Sequence, residues 1–343
     1  MLVVSAFISQ AQDTIKTTAN APFEISGSAD VYYKYDFAGG KTANIPTVFA
    51  NESNSVSIGM LDLVMKKKTG KAAFVGEIAF GPRNDESIPA VIYNEDKPHY
   101  YDVQNLYVSY DMTDKLNVAA GYMSTFIGYE MVSPVGNFNY STSYLNTNGP
   151  FQNAGFRATY TFSDEVSLLA GIFDDRYNNF SATRDVSTFG TQLALTPVNG
   201  FNIYLNFAMG YQSGTTFDIS STYQVTNELK FGLNATNFKS TVYLGVGGYD
   251  GIALYGQYQV VKFLTFGVRG EYYEAKDGIL TLAGPLPGNN VKEVTFSANI
   301  KTGPLVIIPE IRHDMASDGI FLNSGQAKVK GASEVLLAAI YAF

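Results

Sequence analysis

The chain has 343 residues and a formal net charge of -8 at pH 7, with 16% charged and 14% aromatic residues. Soluble domains average about 25% charged residues, so this composition favours a sheet-forming chain with much apolar surface. The negative charge, and the lack of any basic cluster beyond Lys66 to Lys68, argue against nucleic-acid binding. The absence of cysteine removes disulfides, thiolate catalysis and cysteine-bound zinc.

The chain opens with an apolar run, Leu2 to Ile8, followed by the small-x-small triplet Ser9-Gln10-Ala11. This order is typical of a signal-peptide core and its cleavage site. We expect residues 1–11 to be the remainder of a signal peptide and residues 12–343 to form one domain. The basic segment that normally precedes such a core is missing, so another origin for the run stays open. No other stretch is apolar for long enough to form a membrane-spanning helix, so an exported chain of this kind could enter a bilayer only as a closed barrel.

Apolar and polar side chains alternate along most of the chain. Between Phe23 and Phe37 the odd positions are mostly apolar and the even ones mostly polar, and the same period recurs at 201–209 and 264–272. About sixteen such segments begin near residues 23, 55, 71, 101, 116, 152, 166, 187, 201, 216, 229, 251, 263, 292, 305 and 333. We therefore predict an all-β fold, a transmembrane antiparallel up-and-down β-barrel of about 16 strands.

Short and long connections alternate between these segments. Short ones with turn chemistry include 68–71, 162–165, 197–200 and 301–304, and the long ones run over 38–52, 82–99, 124–150, 174–184, 238–249, 275–290 and 315–331. Short periplasmic turns and long extracellular loops are typical of an outer-membrane barrel. Of 12 prolines only Pro309 falls inside a predicted strand, which predicts either a bulge or a misplaced strand boundary there.

The last segment, Ala332 to Phe343, alternates to its aromatic end. It resembles the C-terminal insertion signature of bacterial outer-membrane proteins, although a final strand of a soluble sheet would alternate as well.

A closer resemblance lies in Gly121 to Glu130, continuing through Gly136 to Ser141, Gly149 to Phe151 and Gly155 to Tyr160. This stretch is similar to the OmpL-like "putative β-barrel porin" family, specifically over residues 100–175 and only in architecture elsewhere. The resemblance implies a Gram-negative outer-membrane barrel of the Bacteroidetes type with an unassigned solute. The lack of tryptophan is unusual for that family, so tyrosine would have to form the interfacial girdle. The candidates are Tyr110, Tyr122, Tyr160, Tyr204, Tyr258 and Tyr341.

Little in the sequence indicates an enzyme or a cofactor. The only histidines are His99 and His313, and loop carboxylates such as Asp174 and Asp318 are usually just solvated. We predict no catalytic residue, no cofactor and no metal site.

Charged residues on the polar faces of strands should line the lumen, which is too wide in a barrel of this size to be filled by wall side chains. They are Glu77, Arg157, Lys230, Arg269, Glu271, Glu310 and Arg312. They could instead pair with neighbours along the wall, as Arg269 with Glu271 or Glu310 with Arg312. With both signs present, we expect little ion preference.

The longest connection, Ser124 to Pro150, is the third long loop. In general porins the third loop folds inward, and by that analogy it would form the pore constriction. The constriction candidates are Tyr129, Glu130, Asn137, Asn139, Tyr140 and Tyr144. Glu130 is the only charge between Gly121 and Phe156, which predicts a neutral opening for small polar solutes.

The sequence therefore predicts an outer-membrane porin for passive diffusion of small hydrophilic solutes or ions, with membrane lipid as its surroundings. Two alternatives stay open, a barrel with a blocked lumen that binds at the surface or acts as an enzyme, and a secreted soluble β-protein. A homotrimer is suggested only by analogy with other porins.

Overall fold

A computed structural model describes residues 22–40, 44–87, 103–174, 185–241, 246–278, 281 and 283–343. Sixteen antiparallel strands close into one barrel, in which each strand pairs with its sequence neighbours and the last barrel strand pairs with the first. The prediction of a barrel of about 16 strands is thus confirmed. The predicted signal peptide and His99 lie outside the described residues.

The barrel strands are β1 (Glu24–Asp36), β2 (Val56–Thr69), β3 (Ala72–Phe80), β4 (Val103–Asp111), β5 (Leu116–Ser124), β6 (Gln152–Thr161), β7 (Val166–Asp174), β8 (Val186–Val198), β9 (Phe201–Gly210), β10 (Gly214–Gln224), β11 (Leu229–Lys239), β12 (Gly248–Val261), β13 (Leu264–Ala275), β14 (Asn290–Thr302), β15 (Leu305–Ala316) and β18 (Gly331–Ala342). A hairpin of β16 (Phe321–Leu322) and β17 (Lys328–Val329) lies in the last loop. The helices are α1 (Pro82–Ser87) and α2 (Tyr144–Asn148), with a 3-10 turn at Pro134–Gly136. None of the described helices is long and apolar enough to cross a bilayer.

The alternation read from the sequence sets the two faces of the wall. In β1, Asp30 and Lys34 are buried on the inner face, while Val31 and Tyr33 are exposed on the outer face. Successive side chains of a strand point to opposite sides, so each strand contributes one row to the inner face and one to the outer face, and the register shifts in five of the strand pairs. The barrel closes where β1 pairs with β18, and the backbone of Gly27 exchanges two hydrogen bonds of 3.0 Å with Phe343.

The connections follow the predicted alternation with one exception. The link between β9 and β10 holds only residues 211–213, so the fifth connection on the long-loop side is a tight turn. The surrounding stretch, Gly210 to Gly214, is rich in glycine and polar residues but only five residues long, so it has the composition of a tight turn rather than of a long loop.

Pro309 fits neither of the two predictions made for it, a bulge or a misplaced strand boundary. Pro309 lies inside β15 and faces outward, and the pairing of β14 with β15 keeps one register on both sides of it. There is neither a bulge nor a strand boundary at this position, only a gap in the ladder beside Pro309 where the missing N–H cannot donate. Pro197, which the sequence assigns to a turn, is the penultimate residue of β8.

Candidate functional site

The connection between β5 and β6, residues 125–151, folds into the barrel and is called loop L3 here. Its ends meet at a 3.0 Å hydrogen bond from Thr125 N to Phe151 O. Its middle contacts β13, β14 and β15, and β13 lies eight strands from β5 in the ring of sixteen. L3 therefore reaches from one side of the lumen to the opposite wall.

Arg269 of β13 is the centre of this contact and is completely buried. Its guanidinium donates to Glu130 of L3 at 2.8 Å and to Glu293 of β14 at 3.1 Å. It also donates to the carbonyl oxygen of Ser141 at 2.6 Å. Glu130 in turn accepts from the backbone and hydroxyl of Ser143 at 2.8 and 2.7 Å. One wall cation thus binds both limbs of the loop.

Two wall carboxylates hold the loop by pairs of adjacent backbone N–H groups. Glu310 accepts from Tyr140 and Ser141 at 2.9 and 3.1 Å. Glu271 accepts from Tyr144 and Leu145 at 2.7 and 2.8 Å. The second pair belongs to the first turn of α2, where free N–H groups and the helix dipole favour a negative charge.

Arg312 of β15 completes the anchored side. It binds Asp314 through two nitrogens at 2.8 and 2.9 Å and donates to the carbonyl oxygen of Thr142 at 2.7 Å. Its guanidinium also lies over the ring of Tyr144, whose hydroxyl donates to Asp314 at 2.7 Å. Arg312 and Asp314 are thus buried as a hydrogen-bonded ion pair, which is the arrangement that buried charges require.

Two L3 tyrosines are almost completely buried against the wall, Tyr140 at 1% and Tyr144 at 0% exposure. Burial raises the pKa of both phenols well above the ordinary value, and the neighbouring carboxylates Asp30 and Asp314 raise the two pKa values further. Arg83 and Arg312 act in the opposite direction without cancelling this effect. Both hydroxyls are therefore proton donors to acceptor carboxylates over the whole neutral range.

Glycines on the inner wall provide the space for these side chains. A Cβ built at Gly251 would lie 2.6 Å from Leu145 Cδ2, and one at Gly190 would lie 2.5 Å from Phe126 Cζ. At Gly267 and Gly232 a Cβ would overlap Phe138 and Tyr129. A glycine inside a strand often marks a close approach of another part of the chain, and here the approaching part is L3.

The first part of L3 follows the wall towards β12. Gln192 of β8 donates to the carbonyl oxygen of Phe126 at 2.9 Å, and Gly128 N donates to Asp218 of β10 at 3.1 Å. The Tyr129 ring stacks on Tyr255 of β12 with centroids 4.2 Å apart. On this side L3 is fixed by hydrogen bonds and ring contacts without an ion pair in the described residues.

Two other loops brace L3. Arg83 of α1 donates to the carbonyl oxygens of Val132 and Tyr140 at 3.0 and 2.8 Å, and lies over the Phe49 ring of the first loop. Because Phe49 packs on Phe151, the first loop also touches the end of L3. L3 is thus held by the wall and by its neighbouring loops together.

The predicted constriction candidates occupy two environments. Asn139, Tyr140 and Tyr144 are buried between the loop and the wall, while Tyr129, Glu130 and Asn137 are half-buried. Asn137 closes a small ring with Met131, accepting from its N–H at 2.8 Å and donating to its carbonyl at 2.7 Å. Beside that ring, Val135 is 48% exposed at the tip of L3, a residue that sequence reasoning did not select. The role of the six predicted candidates in a pore constriction stays a prediction.

The charged residues predicted to line the lumen also fall into two groups, those covered by L3 and those away from it. The four residues Arg269, Glu271, Glu310 and Arg312 face inward but lie covered beneath L3. Glu77, Arg157 and Lys230 are half-buried on the inner wall away from it. Arg269 binds Glu293 across the wall as well as Glu130 of L3, and Arg312 binds Asp314 of its own strand, whereas the described residues show no ion pair between Arg269 and Glu271 or between Glu310 and Arg312.

The tyrosine girdle needs a partial correction. Tyr110, Tyr160, Tyr258 and Tyr341 are exposed on the outer wall. The other two candidates are elsewhere: Tyr122 is buried, and Tyr204 shares the inner face with Asn206, which binds Asp218 at 2.7 Å. His313 lies on the outer wall, with a 2.7 Å contact to Ser333, and Asp318 accepts from Leu286 N at 3.2 Å.

A family model described as "Putative beta-barrel porin-2, OmpL-like" matches residues 22–343. The chain belongs to this family. The match extends the similarity seen over residues 100–175 to the whole barrel, and membership in this porin family places the chain in the bacterial outer membrane. No curated protein matches the chain.

Solved outer-membrane barrels share the fold of this porin-family chain. OprB of Pseudomonas putida matches with a TM-score of 0.63 at 12% identity, over 94% of each chain. OmpT of Vibrio cholerae matches with a TM-score of 0.60 at 12% identity, over 96% of this chain and 99% of its own. The anion-selective porin of Comamonas acidovorans matches with a TM-score of 0.58 at 12% identity, over 94% and 99%. At these identities the similarity shows the fold alone.

Proposed function

We propose that the protein is a diffusion porin in which L3 narrows a water-filled lumen for small hydrophilic solutes and ions. The observation that carries this proposal is the docking of L3 across the lumen, from β5 to Arg269 on the opposite wall. A barrel of 16 strands leaves an aqueous interior unless an inserted segment reduces it. L3 is such a segment, because it lies inside the barrel and contacts β13, β14 and β15.

The solutes that suit this opening are small and polar without strong charge. Glu130 is the only charge of L3, and Arg269 neutralises it at 2.8 Å. The exposed tip around Val135 and the half-buried Asn137 are uncharged. Selectivity in pores follows the charges that line the narrowest part, so a neutral tip supports weak ion preference.

A lumen closed by L3 is the competing function, and one observation favours it. L3 contacts the wall over a wide arc, from Gln192 of β8 through Glu310 of β15 to Asp62 of β2, where Ser133 donates at 2.9 Å. Such a barrel would bind a partner at its outer surface or act as an enzyme there. Our proposal assigns no catalytic role to the chain.

Single-channel recording in a planar bilayer separates the two functions. Detergent-purified protein should give stable conductance steps, with a small reversal potential under a salt gradient. Deleting Asn137 to Asn146 should increase the step size, because it removes the docked part of L3. Silence from correctly folded wild-type protein together with steps from the deletion variant would establish the closed lumen. Equal steps from both proteins would exclude L3 as the constriction.

A homotrimer is part of this proposal. It is supported by the structure of OmpT described as a trimer form, which matches with a TM-score of 0.58 at 10% identity, over 94% of this chain and 99% of its own. Light scattering of the detergent-solubilised protein should give three protein masses per particle, and a single protein mass would exclude it.

A further inference from the structure

Tyr204 of β9 is an inner-wall tyrosine that the described part of the chain leaves without a partner. It is half-buried and lies between Asn202 and Asn206 on the polar face of its strand. Its cross-strand neighbours have small side chains, Ala194 on β8 and Ser220 on β10. Among the described residues it makes neither a hydrogen bond nor a ring contact. Its hydroxyl and part of its ring are therefore open to a molecule in the lumen.

Other tyrosines of the inner wall are packed by L3, and Tyr204 differs from them. Tyr255 stacks on Tyr129 with centroids 4.2 Å apart, and the centroid of Tyr273 lies 5.7 Å from that of Tyr144. Aromatic rings gain their stability from such contacts, and a phenol hydroxyl usually finds a hydrogen-bond partner. Tyr204 obtains neither from the described wall, so a solute in the lumen is the remaining source of both.

The inner wall around Tyr204 is polar and uncharged. Ser167 of β7, Thr196 of β8 and Asn202 of β9 are half-buried residues of this face. The Thr196 hydroxyl donates to Asn202 Oδ1 at 3.1 Å, and Asn202 Nδ2 reaches Thr222 only at 3.5 Å. The Ser167 hydroxyl has no hydrogen bond within the described ranges. Since amides and hydroxyls both donate and accept, this wall suits a solute that carries several hydroxyl groups.

The charges nearest to this part of the wall are either hydrogen-bonded or lie beside it. Asp218 of β10 accepts four hydrogen bonds of 2.6 to 3.1 Å, from Gly128, Asn206, Asn234 and Thr236. Arg157 on β6 and Lys230 on β11 face the lumen on the two sides of the wall that carries Tyr204. A cation could bind an aromatic ring by its face, but these two cations would repel it.

We propose that Tyr204 and the polar wall of β7 to β9 bind neutral sugars that enter the lumen. A sugar ring has a face of C–H groups, which fits the ring of a tyrosine, and a rim of hydroxyls, which fits Asn202 and Ser167. An apolar solute would leave these polar groups without a hydrogen-bond partner. The inference rests on the proposed function, because a water-filled lumen is what lets the sugar reach Tyr204.

Saturation-transfer NMR of the full chain in deuterated detergent measures sugar binding without requiring a current. The probes are glucose, sorbitol, which has similar hydroxyls but no ring, and glucuronate, which adds a negative charge. We expect glucose to bind several-fold more tightly than sorbitol and at least as tightly as glucuronate. Tyr204→Leu, which keeps an apolar side chain but removes the ring, should weaken glucose binding about tenfold. Tyr204→Phe should lose less, and Tyr258→Leu, on the outer wall, is the matched control and should bind like the wild type.

Single-channel recording then separates the sugar site from the pore. In a conducting wild type, glucose should cause reversible current noise that Tyr204→Leu reduces and Tyr258→Leu keeps. A conducting wild type that binds no glucose would overturn the sugar site and leave the porin function intact. A silent wild type that binds glucose through Tyr204 would reject the open pore and keep the site, reached from the short-turn side.

Three further results would overturn the proposal. They are equal binding of glucose and sorbitol, tighter binding of glucuronate than of glucose, and an equal loss of glucose binding in Tyr204→Leu and Tyr258→Leu. Heat-modifiable migration on a gel verifies the folding of each variant. If Tyr204→Leu does not fold, Asn202→Ala removes the neighbouring amide and should weaken glucose binding several-fold in the same measurement.

Discussion

Replacing Arg269 by methionine should release L3 from the far wall while leaving the barrel intact. The guanidinium is completely buried and serves Glu130, Glu293 and the carbonyl oxygen of Ser141. Methionine keeps much of the volume but leaves Glu130 without its cation and Glu293 with Arg312 alone, at 4.0 Å. Removing one partner of a buried ion pair typically costs about 3–5 kcal/mol. At about 1.4 kcal/mol per tenfold change, the docked state of L3 should lose a factor of about 100 to 4,000.

The ladder of β13 does not depend on this side chain, so the heat-modifiable barrel should persist. We expect larger conductance steps or frequent transitions to a larger step, together with rapid proteolysis within L3. Lys230→Met is the matched control, because Lys230 faces the lumen from β11 and the described residues give it no hydrogen-bond or ion-pair partner. Adding Glu130→Gln to Arg269→Met should recover part of the docking, since it removes one uncompensated charge. Unchanged conductance and unchanged protease protection in Arg269→Met would refute the reasoning.

Three further predictions concern the residues that make space for L3, the arginine of α1 that binds it, and its buried tyrosines. Gly267→Ala should weaken docking by about 1–3 kcal/mol, because the new methyl group overlaps Phe138; Gly270→Ala, outward on the same strand and 4.0 Å from the nearest atom, should leave L3 protected from protease. Arg83→Ala should make residues around Val132 more accessible to protease without changing barrel stability, since it removes two bonds to loop carbonyls; unaltered cleavage would contradict the bracing role. Burial raises the pKa of Tyr140 and Tyr144, so docking should be stable below the ordinary tyrosine pKa of about 10 and weaken above it, because the undocked loop releases those protons first. Tyrosinate absorbance should then show a late phase that Tyr140→Phe and Tyr144→Phe reduce.

The sequence predicts the barrel well because a strand with one apolar face is a local pattern. The inner and outer faces of β1 and β9 follow directly from their alternation. The tight turn at 211–213 falls between the segments predicted to begin near 201 and 216, but it is not among the predicted connections, although Gly210 to Gly214 contains turn residues. Tyr204 is misplaced in the girdle, although the alternation of its strand already puts it on the polar face with Asn202 and Asn206.

The candidate site is predicted only in outline. An inward third loop follows from analogy with porins, but the contact of Glu130 with Arg269 joins residues 139 positions apart, and no local pattern carries that information. One signal was available in the sequence. Gly232, Gly251 and Gly267 all fall on the inner face of predicted strands, where a glycine indicates close approach of another part of the chain.

The wall side chains bind L3 mainly through backbone groups of the loop. Substitutions in the wall and substitutions in the loop should therefore differ in their effect on docking. Glu271 and Glu310 of the wall accept from backbone N–H groups, and Arg269 and Arg312 of the wall donate to backbone carbonyls, as does Arg83 of α1. A loop substitution to alanine leaves these backbone groups in place, whereas a wall substitution leaves several of them buried without a partner, at about 1–3 kcal/mol each.

An alanine scan should therefore show large losses of L3 protease protection at Glu310 and Arg312, and small ones at Ser141 and Thr142. The two loop residues are the right comparison because their backbone groups, rather than their side chains, meet these wall charges. Larger losses at Ser141 and Thr142 than at Glu310 and Arg312 would mean that the loop is shaped by its own side chains, and that the wall charges only follow it.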